Sequence, residues 1–230
     1  MEYSNAYASP VAYSEVDARA KFITKTYAHL LGAIAAFVVL EIIFFSTPLA
    51  EIIGVTLMSN WLLVIGGLMI VGWLSNHFTA SSKSLPQQYF GLGVYVVAQA
   101  VIFVPLLYMA KIQGEGVLES AALVTIAGFI GLTAIVFITR KDFSFIGAIL
   151  KWVGMVALLL IVGSLLFGFQ LGTFFSVAMI AFAGGAILYD TSNVLNRYPE
   201  DQYVNASLQL FASVALLFWY VLRMFLSSRD

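Results

Sequence analysis

The chain contains no cysteine and only two histidines, His29 and His77, and 10% of its 230 residues are charged. Without cysteine there can be no disulfide framework, thiolate metal site or cysteine nucleophile. Two histidines far apart in sequence make no HExxH or His-cluster signature, so no metal or cofactor is expected. Eleven Lys and Arg against twelve Asp and Glu leave no cationic surplus for phosphates, and no nucleic-acid partner is expected. No GxxxxGK[ST] or GxGxxG motif stands between a strand and a helix, which excludes the common nucleotide cradles. Residues 1–25 are polar and lack the apolar core of a cleavable signal peptide, so the first hydrophobic segment is expected to act as the insertion signal.

What is present is apolar. Such residues make up 61% of the chain, against roughly 45–50% in a soluble domain. So few charges cannot cover a soluble surface of this size. The composition therefore gives an all-α integral membrane protein whose first partner is the lipid bilayer. A helix needs about 20 mostly apolar residues to cross the hydrocarbon core. Seven such runs stand out: Tyr27–Phe45, Thr56–Leu74, Tyr89–Ala110, Ser120–Ile138, Ile146–Phe167, Leu171–Asp190 and Val204–Leu226. They are continuous rather than alternating, which favours helices over barrel strands. The expected organisation is a polar N-terminal tail, 1–25, and a seven-transmembrane-helix bundle, 26–230. Pro105 is expected to kink the third span and Gly91 and Gly93 to loosen its start. Gly128 with Gly131, Gly184 with Gly185, and the run Ala178, Ala181 and Gly185 on one helical face are expected at helix-packing seams.

Basic residues in the short loops set the orientation. Arg19, Lys21, Lys25, Lys83, Arg140, Lys141, Lys151 and Arg197 fall on one side, and Lys111, Arg223 and Arg229 on the other. This predicts a cytoplasmic N-terminus and an external C-terminus.

An ionisable group inside a bilayer is expensive, roughly 2.5–3.5 kcal/mol at a helix centre, so each one needs a reason. Lys151 opens its span and can snorkel to the interface. Glu51 starts the second span. Glu41 stands about one turn from the end of the first, where it is either interfacial or buried. His29 fits an interfacial position, and Gln99 and Gln209 fit interhelical hydrogen bonding. Asp190 is singled out because it closes an unbroken apolar run and precedes Thr191, Ser192 and Asn193. On a continuing helix Asn193 and Arg197 share its face. Two readings stay open: a hydrated interfacial carboxylate, alone or paired with Arg197, or a carboxylate turned into the bundle that takes a cation or a proton. In the loop after Thr139, Asp142 or Ser144 can cap the following helix, with Arg140 and Lys141 holding the loop inside.

The stretches Thr139-Arg-Lys-Asp-Phe-Ser-Phe-Ile-Gly and Gly184-Gly-Ala-Ile-Leu-Tyr-Asp-Thr-Ser-Asn resemble the two signature regions of the transmembrane Bax-inhibitor (TMBIM) family. Phe22-Ile-Thr-Lys-Thr-Tyr is similar to the family's entry into its first helix, and the ending Leu-Ser-Ser-Arg-Asp looks most like the bacterial YccA-like branch, which implies a place in a bacterial inner (cytoplasmic) membrane. The resemblance implies a seven-helix bundle with the last helix central, and a calcium leak gated by a pH-sensitive pair of aspartates on helices six and seven. By resemblance Asp190 is the helix-six member. Aligning backwards from Leu222-Arg223 puts Ser213 where the second aspartate would stand, and Val204–Leu226 holds no carboxylate. A two-aspartate latch therefore cannot form.

Two functions follow. The first is a pH-modulated cation leak for calcium or protons, with Asp190 titrating and Ser213, Asn193 and Gln209 as neutral partners. The second is a non-transporting regulator that binds other membrane proteins, such as a membrane-bound quality-control protease, as the resemblance implies, with the tail bearing Tyr3, Tyr7 and Tyr13 as its handle. A retinal protein would need a lysine in the last span, which has none, and no hydrolytic dyad argues for an enzyme.

Overall fold

The structure, a computed structural model, describes residues 10–80, 84–114 and 116–227, with only the backbone for 61–63 and 80. The elements are α1 (Val16–Phe45), α2 (Leu49–Met58), α3 (Trp61–Ala80), α4 (Leu85–Gln113), α5 (Val117–Thr139), α6 (Gly147–Phe167), α7 (Thr173–Asn196) and α8 (Tyr203–Ser227). Two short 3-10 turns, Val11–Tyr13 and Ser144–Ile146, precede α1 and α6. No strand occurs among the described residues. Six helices, all but α2 and α3, are long and apolar enough to cross a membrane.

The punctuation is local. The Ser84 side chain caps α4 by accepting from the Gln87 amide at 3.4 Å, with proline in the first turn. α4 then runs unbroken through Pro105. Gly168 closes α6 at φ 74, a left-handed value that a side chain disfavours, and so permits the tight hairpin into α7.

Two expected boundaries move. The run Thr56–Leu74 is not one helix, because the chain breaks at Ser59 and Asn60 between α2 and α3. There the Ser59 hydroxyl donates to the Val55 carbonyl at 3.0 Å and the Asn60 amide to the Thr56 carbonyl at 2.9 Å. Such short polar side chains offer the backbone an alternative to the helical ladder, and an average over twenty residues hides two of them. The first helix also begins at Val16, inside the stretch expected as tail. Its polar start is helical because Phe22 is buried in the core and Arg19 donates to the Leu195 carbonyl at 3.0 Å.

α8 packs against α1, α3, α4, α5 and α7. It carries a run of buried residues from Tyr203 to Leu208 and further ones out to Leu226. The outer helices show the reverse, with Ile126, Ile138, Leu159 and Phe174 exposed. A soluble protein does not display such faces, and a bilayer covers them. The expected seams are partly occupied: Gly128 lies against Leu217, Gly184 against Leu132 and Gly185 against Leu150, while Gly131 meets open space.

α3 is tied to the start of α8 by polar bonds. Thr79 donates to the Asn205 side-chain oxygen at 3.1 Å, and the Gln209 amide donates to Asn76 at 2.5 Å. Gly91 lets α4 approach α3: a Cβ there would lie 2.9 Å from the Thr79 methyl and 3.0 Å from the Ser75 carbonyl oxygen.

Candidate functional site at the α7–α8 contact

Asp190 sits on the last two turns of α7, half-buried, and Ser213 lies buried on the middle of α8. The Ser213 hydroxyl donates to Asp190 Oδ2 at 2.5 Å, joining the two helices. α7 and α8 are covalently connected by a turn of a few residues, so they form an antiparallel pair and this bond spans it above the turn. Within that turn Tyr198 lies in electrostatic reach of Asp190. Burial first, and then the negative charge of Asp190, push the Tyr198 hydroxyl above the ordinary tyrosine range, so it keeps its proton. The buried hydroxyl of Tyr27 on α1 lies beside those of Thr191 on α7 and Thr133 on α5, which gathers polar oxygens one residue away from Asp190.

The other expected partners are elsewhere. Arg197 does not pair with Asp190. α7 ends at Asn196, and Arg197, outside the helix, swings to the α5–α6 loop. There its guanidinium donates to Ser144 Oγ at 2.6 Å and stands 3.7 Å from Asp142 Oδ2. Gln209 is committed to Asn76 on α3. Asn193 is buried, but its backbone carbonyl accepts from the amides of Arg197 and Tyr198, and its side-chain oxygen has no partner. The polar stripe expected on one helical face therefore divides, because the helix that would carry it stops.

The two signature stretches meet. Asp142 Oδ1 accepts from the Ser144 amide at 2.8 Å and from the Ser192 hydroxyl at 3.3 Å, and Ser192 in turn accepts from the Phe143 amide at 2.9 Å. The cap expected of Asp142 forms on the 3-10 turn rather than on α6, whose own N-cap is Ile146 without a side-chain bond. Arg140 ends α5 at φ 52, exposed, in a left-handed conformation unusual for a side-chain-bearing residue. Gly147 admits the ring of Tyr189: a Cβ would stand 2.6 Å from Tyr189 Cε2. The hydrogen bond from the Ser144 amide, first, and the more distant Arg197 hold the Asp142 carboxyl below the usual carboxylate range. A group so depressed contributes its stabilisation above the ordinary carboxylate pKa and loses it as pH falls through the lowered value. The Asp142–Arg197 pair is more than half exposed and adds little, so the cap dominates. Asp142→Ala is expected to speed tryptic cleavage after Arg140 and Lys141 several-fold, since a lost cap costs about 1 kcal/mol. Asp142→Asn keeps an acceptor and is expected to stay near wild type; equal rates for the two variants would contradict this.

The end of the bundle bearing Asp190 is also strapped by the N-terminal segment. The Val11 amide donates to the Tyr198 carbonyl at 2.9 Å, and Val11 is fully buried. A single valine in a polar stretch gives no sequence signal for this. Tyr13 is exposed, and Tyr3 and Tyr7 lie outside the described residues. Lys83 and Arg229, which contribute to the expected orientation, also lie outside them. No three acidic or histidine side chains converge among the described residues. The site thus presents one carboxylate, hydroxyl donors and a protonated phenol, a set suited to holding or releasing one proton beside a helix–helix contact.

The family model described as "Inhibitor of apoptosis-promoting Bax1" matches residues 19–230. The chain belongs to this Bax-inhibitor family. It is 29% identical over 227 residues to Protein LIFEGUARD 4 of Arabidopsis thaliana, covering 94% of this chain and 88% of that protein. It is 34% identical over 122 residues to an uncharacterized protein of Pseudomonas aeruginosa, covering 52% of this chain and 54% of that one. Bax inhibitor 1 of Schizosaccharomyces pombe shares 34% over 114 residues, 46% of this chain and 41% of its own. The match to the Bax-inhibitor family takes in both signature stretches and the whole α7–α8 pair, and makes the chain a multi-pass membrane protein.

Proposed function

We propose that this Bax-inhibitor-family protein is a pH-gated cation leak pathway, for calcium or protons, closed by the contact between Asp190 and Ser213. The observation that carries the reading is the 2.5 Å bond from α8 to the half-buried carboxyl of α7. One hydroxyl donor does not replace the hydration of a carboxylate, so the charged form favours a state in which water reaches it. The neutral form favours the closed contact. Flux should therefore rise with pH. α3, twenty residues long, would supply the seventh crossing. Arg19, Arg140 and Arg197 all stand at the Asp190 end of the bundle. By the bias of basic residues this end would face the cytoplasm of a bacterial inner membrane, with the C-terminus outside. No step in this reading is enzymatic.

The test is Ser213→Ala in proteoliposomes. Removing the donor costs the closed state about 1–3 kcal/mol, roughly a five- to 150-fold shift toward the open one. Flux above wild type is expected, with the largest ratio at low pH, where the contact holds the wild-type gate shut, and unchanged flux at every pH would remove the contact from the gate.

A second reading draws on the strap formed by Val11 and Arg19. A membrane regulator gripped through its N-terminal tail, for instance by a quality-control protease, would be gripped where α7 ends. It expects photocrosslinks from position 13 to a membrane-protein partner in cells, and a failure to find any would weigh against it.

A further inference from the structure

The bundle holds a second intramembrane carboxyl that the site above does not use. Glu41 is 8% exposed, and neither of its carboxyl oxygens has a hydrogen-bond partner. It continues the buried stripe of α1 formed by Phe22, Thr26, Leu30 and Ala33, so it faces the bundle rather than lipid. One turn before it, Phe37 packs edge-on against Phe103 of α4 and Phe211 of α8. One turn after it, Phe45 packs on the core that contains Leu106 and Leu107. Its surroundings are apolar.

Glu41 stands far from Asp190. Tyr27, whose hydroxyl neighbours Thr191, is fourteen positions earlier on the same helix, which corresponds to about 20 Å of rise. The two carboxyls are therefore electrostatically independent. On the helices packed against α1 in the half around Glu41, the other charged groups are Lys111, Glu51 and Arg223, with Tyr108 and Tyr220 further titratable groups. Lys111 Nζ lies 5.7 Å over the Phe45 ring, Glu51 is exposed, and Arg223 donates to the Leu171 carbonyl at 3.1 Å. α7 and the Val11–Tyr13 turn meet α1 at its opposite end, where Asp190 is their acidic group. Among the described residues no cation comes within ion-pair distance of Glu41; the ion pair formed is that of Arg197 with Asp142.

A carboxylate without counter-ion or donor is costly for a bilayer protein to bury. One carboxyl among phenylalanines is also far from the six to eight oxygens that calcium takes. The ligand that fits is a proton. We propose that Glu41 is a proton-binding site in the half of the bundle remote from Asp190, a neutral carboxylic acid in the closed protein that exchanges its proton only when water reaches it. The site stands whether or not the protein conducts.

Infrared difference spectroscopy on the full chain in lipid vesicles at neutral pH, wild type minus Glu41→Gln, tests it directly. A protonated-carboxyl C=O band that the variant lacks is expected. Carboxylate stretching bands in its place would overturn the proposal, as would a carboxyl band assigned by Asp190→Asn instead. Labelling of the wild-type protein with a hydrophobic carbodiimide needs no variant. The acid proton passes to a carbodiimide nitrogen while the carboxylate oxygen adds to the central carbon, with no leaving group. At pH 7 an exposed glutamate is protonated in only about one molecule in 500. Label concentrated on Glu41 over Glu51 and Glu119 is therefore expected, and label absent from Glu41 would count against it.

Discussion

Asp190→Asn is expected to flatten the dependence of cation flux on pH and to leave flux at the low, closed level throughout. The effect is chemical rather than steric. Asparagine has nearly the shape of the protonated aspartic acid, and its side-chain oxygen still accepts from the Ser213 hydroxyl that bonds Asp190 at 2.5 Å. It carries no proton to lose, so nothing drives the contact toward water as pH rises. In the wild type the titration of one group limits the response to about tenfold per pH unit, since one proton is worth about 1.4 kcal/mol per unit. Because Asp190 meets a serine hydroxyl rather than a second carboxylate, a steeper profile would show that another acid takes part. Parallel profiles for wild type and Asp190→Asn would show that Asp190 does not titrate in the gate.

Gly91→Val is the largest expected loss of stability. A Cβ at position 91 meets the Thr79 methyl at 2.9 Å, the Ser75 carbonyl oxygen at 3.0 Å and Phe78 Cβ at 3.1 Å. Two of these belong to backbone or to a branch point and cannot swing aside, so α3 must move from α4. Overpacking of this kind costs about 1–3 kcal/mol. The movement also displaces Thr79 from Asn205, another ~1 kcal/mol for a buried hydrogen bond. Thermal unfolding in detergent should show a melting point several degrees lower. Gly93→Ala is the control: no atom lies within 4 Å of its Cβ, and exchanging glycine for alanine inside a helix gains up to about 1 kcal/mol. A loss of stability as large in the control would contradict the packing argument.

The membrane class, the helical content and most helix centres are legible in the sequence, because lipid imposes one rule on every spanning segment. Asp190 is legible for the same reason, as a charge at the end of an apolar run. Its contact with Ser213 comes from aligning α8 against a family pattern, since nothing local in either segment encodes their meeting. The misplaced second span shows the opposite case. Ser59 and Asn60 break the helix through their own side-chain bonds, a local effect that hydropathy cannot register. Arg197 illustrates a third limit: a helical-face argument ends where the helix ends, and one residue past Asn196 the side chain serves another loop. Ser192 could have been found, since it sits two residues from Asp190 in the same motif. Its acceptance of the Phe143 amide depends on a loop fifty positions away that only the fold brings near. Glu41 was legible as a charge in a span, and its burial was decided by the stripe it continues.

The central claim, that this protein conducts cations under control of one carboxyl, is tested most directly by calcium and proton flux into proteoliposomes of the wild-type chain across about pH 5–8. Flux that rises with pH, no more steeply than one proton allows, is expected. Flux no greater than that of protein-free vesicles at every pH would contradict it.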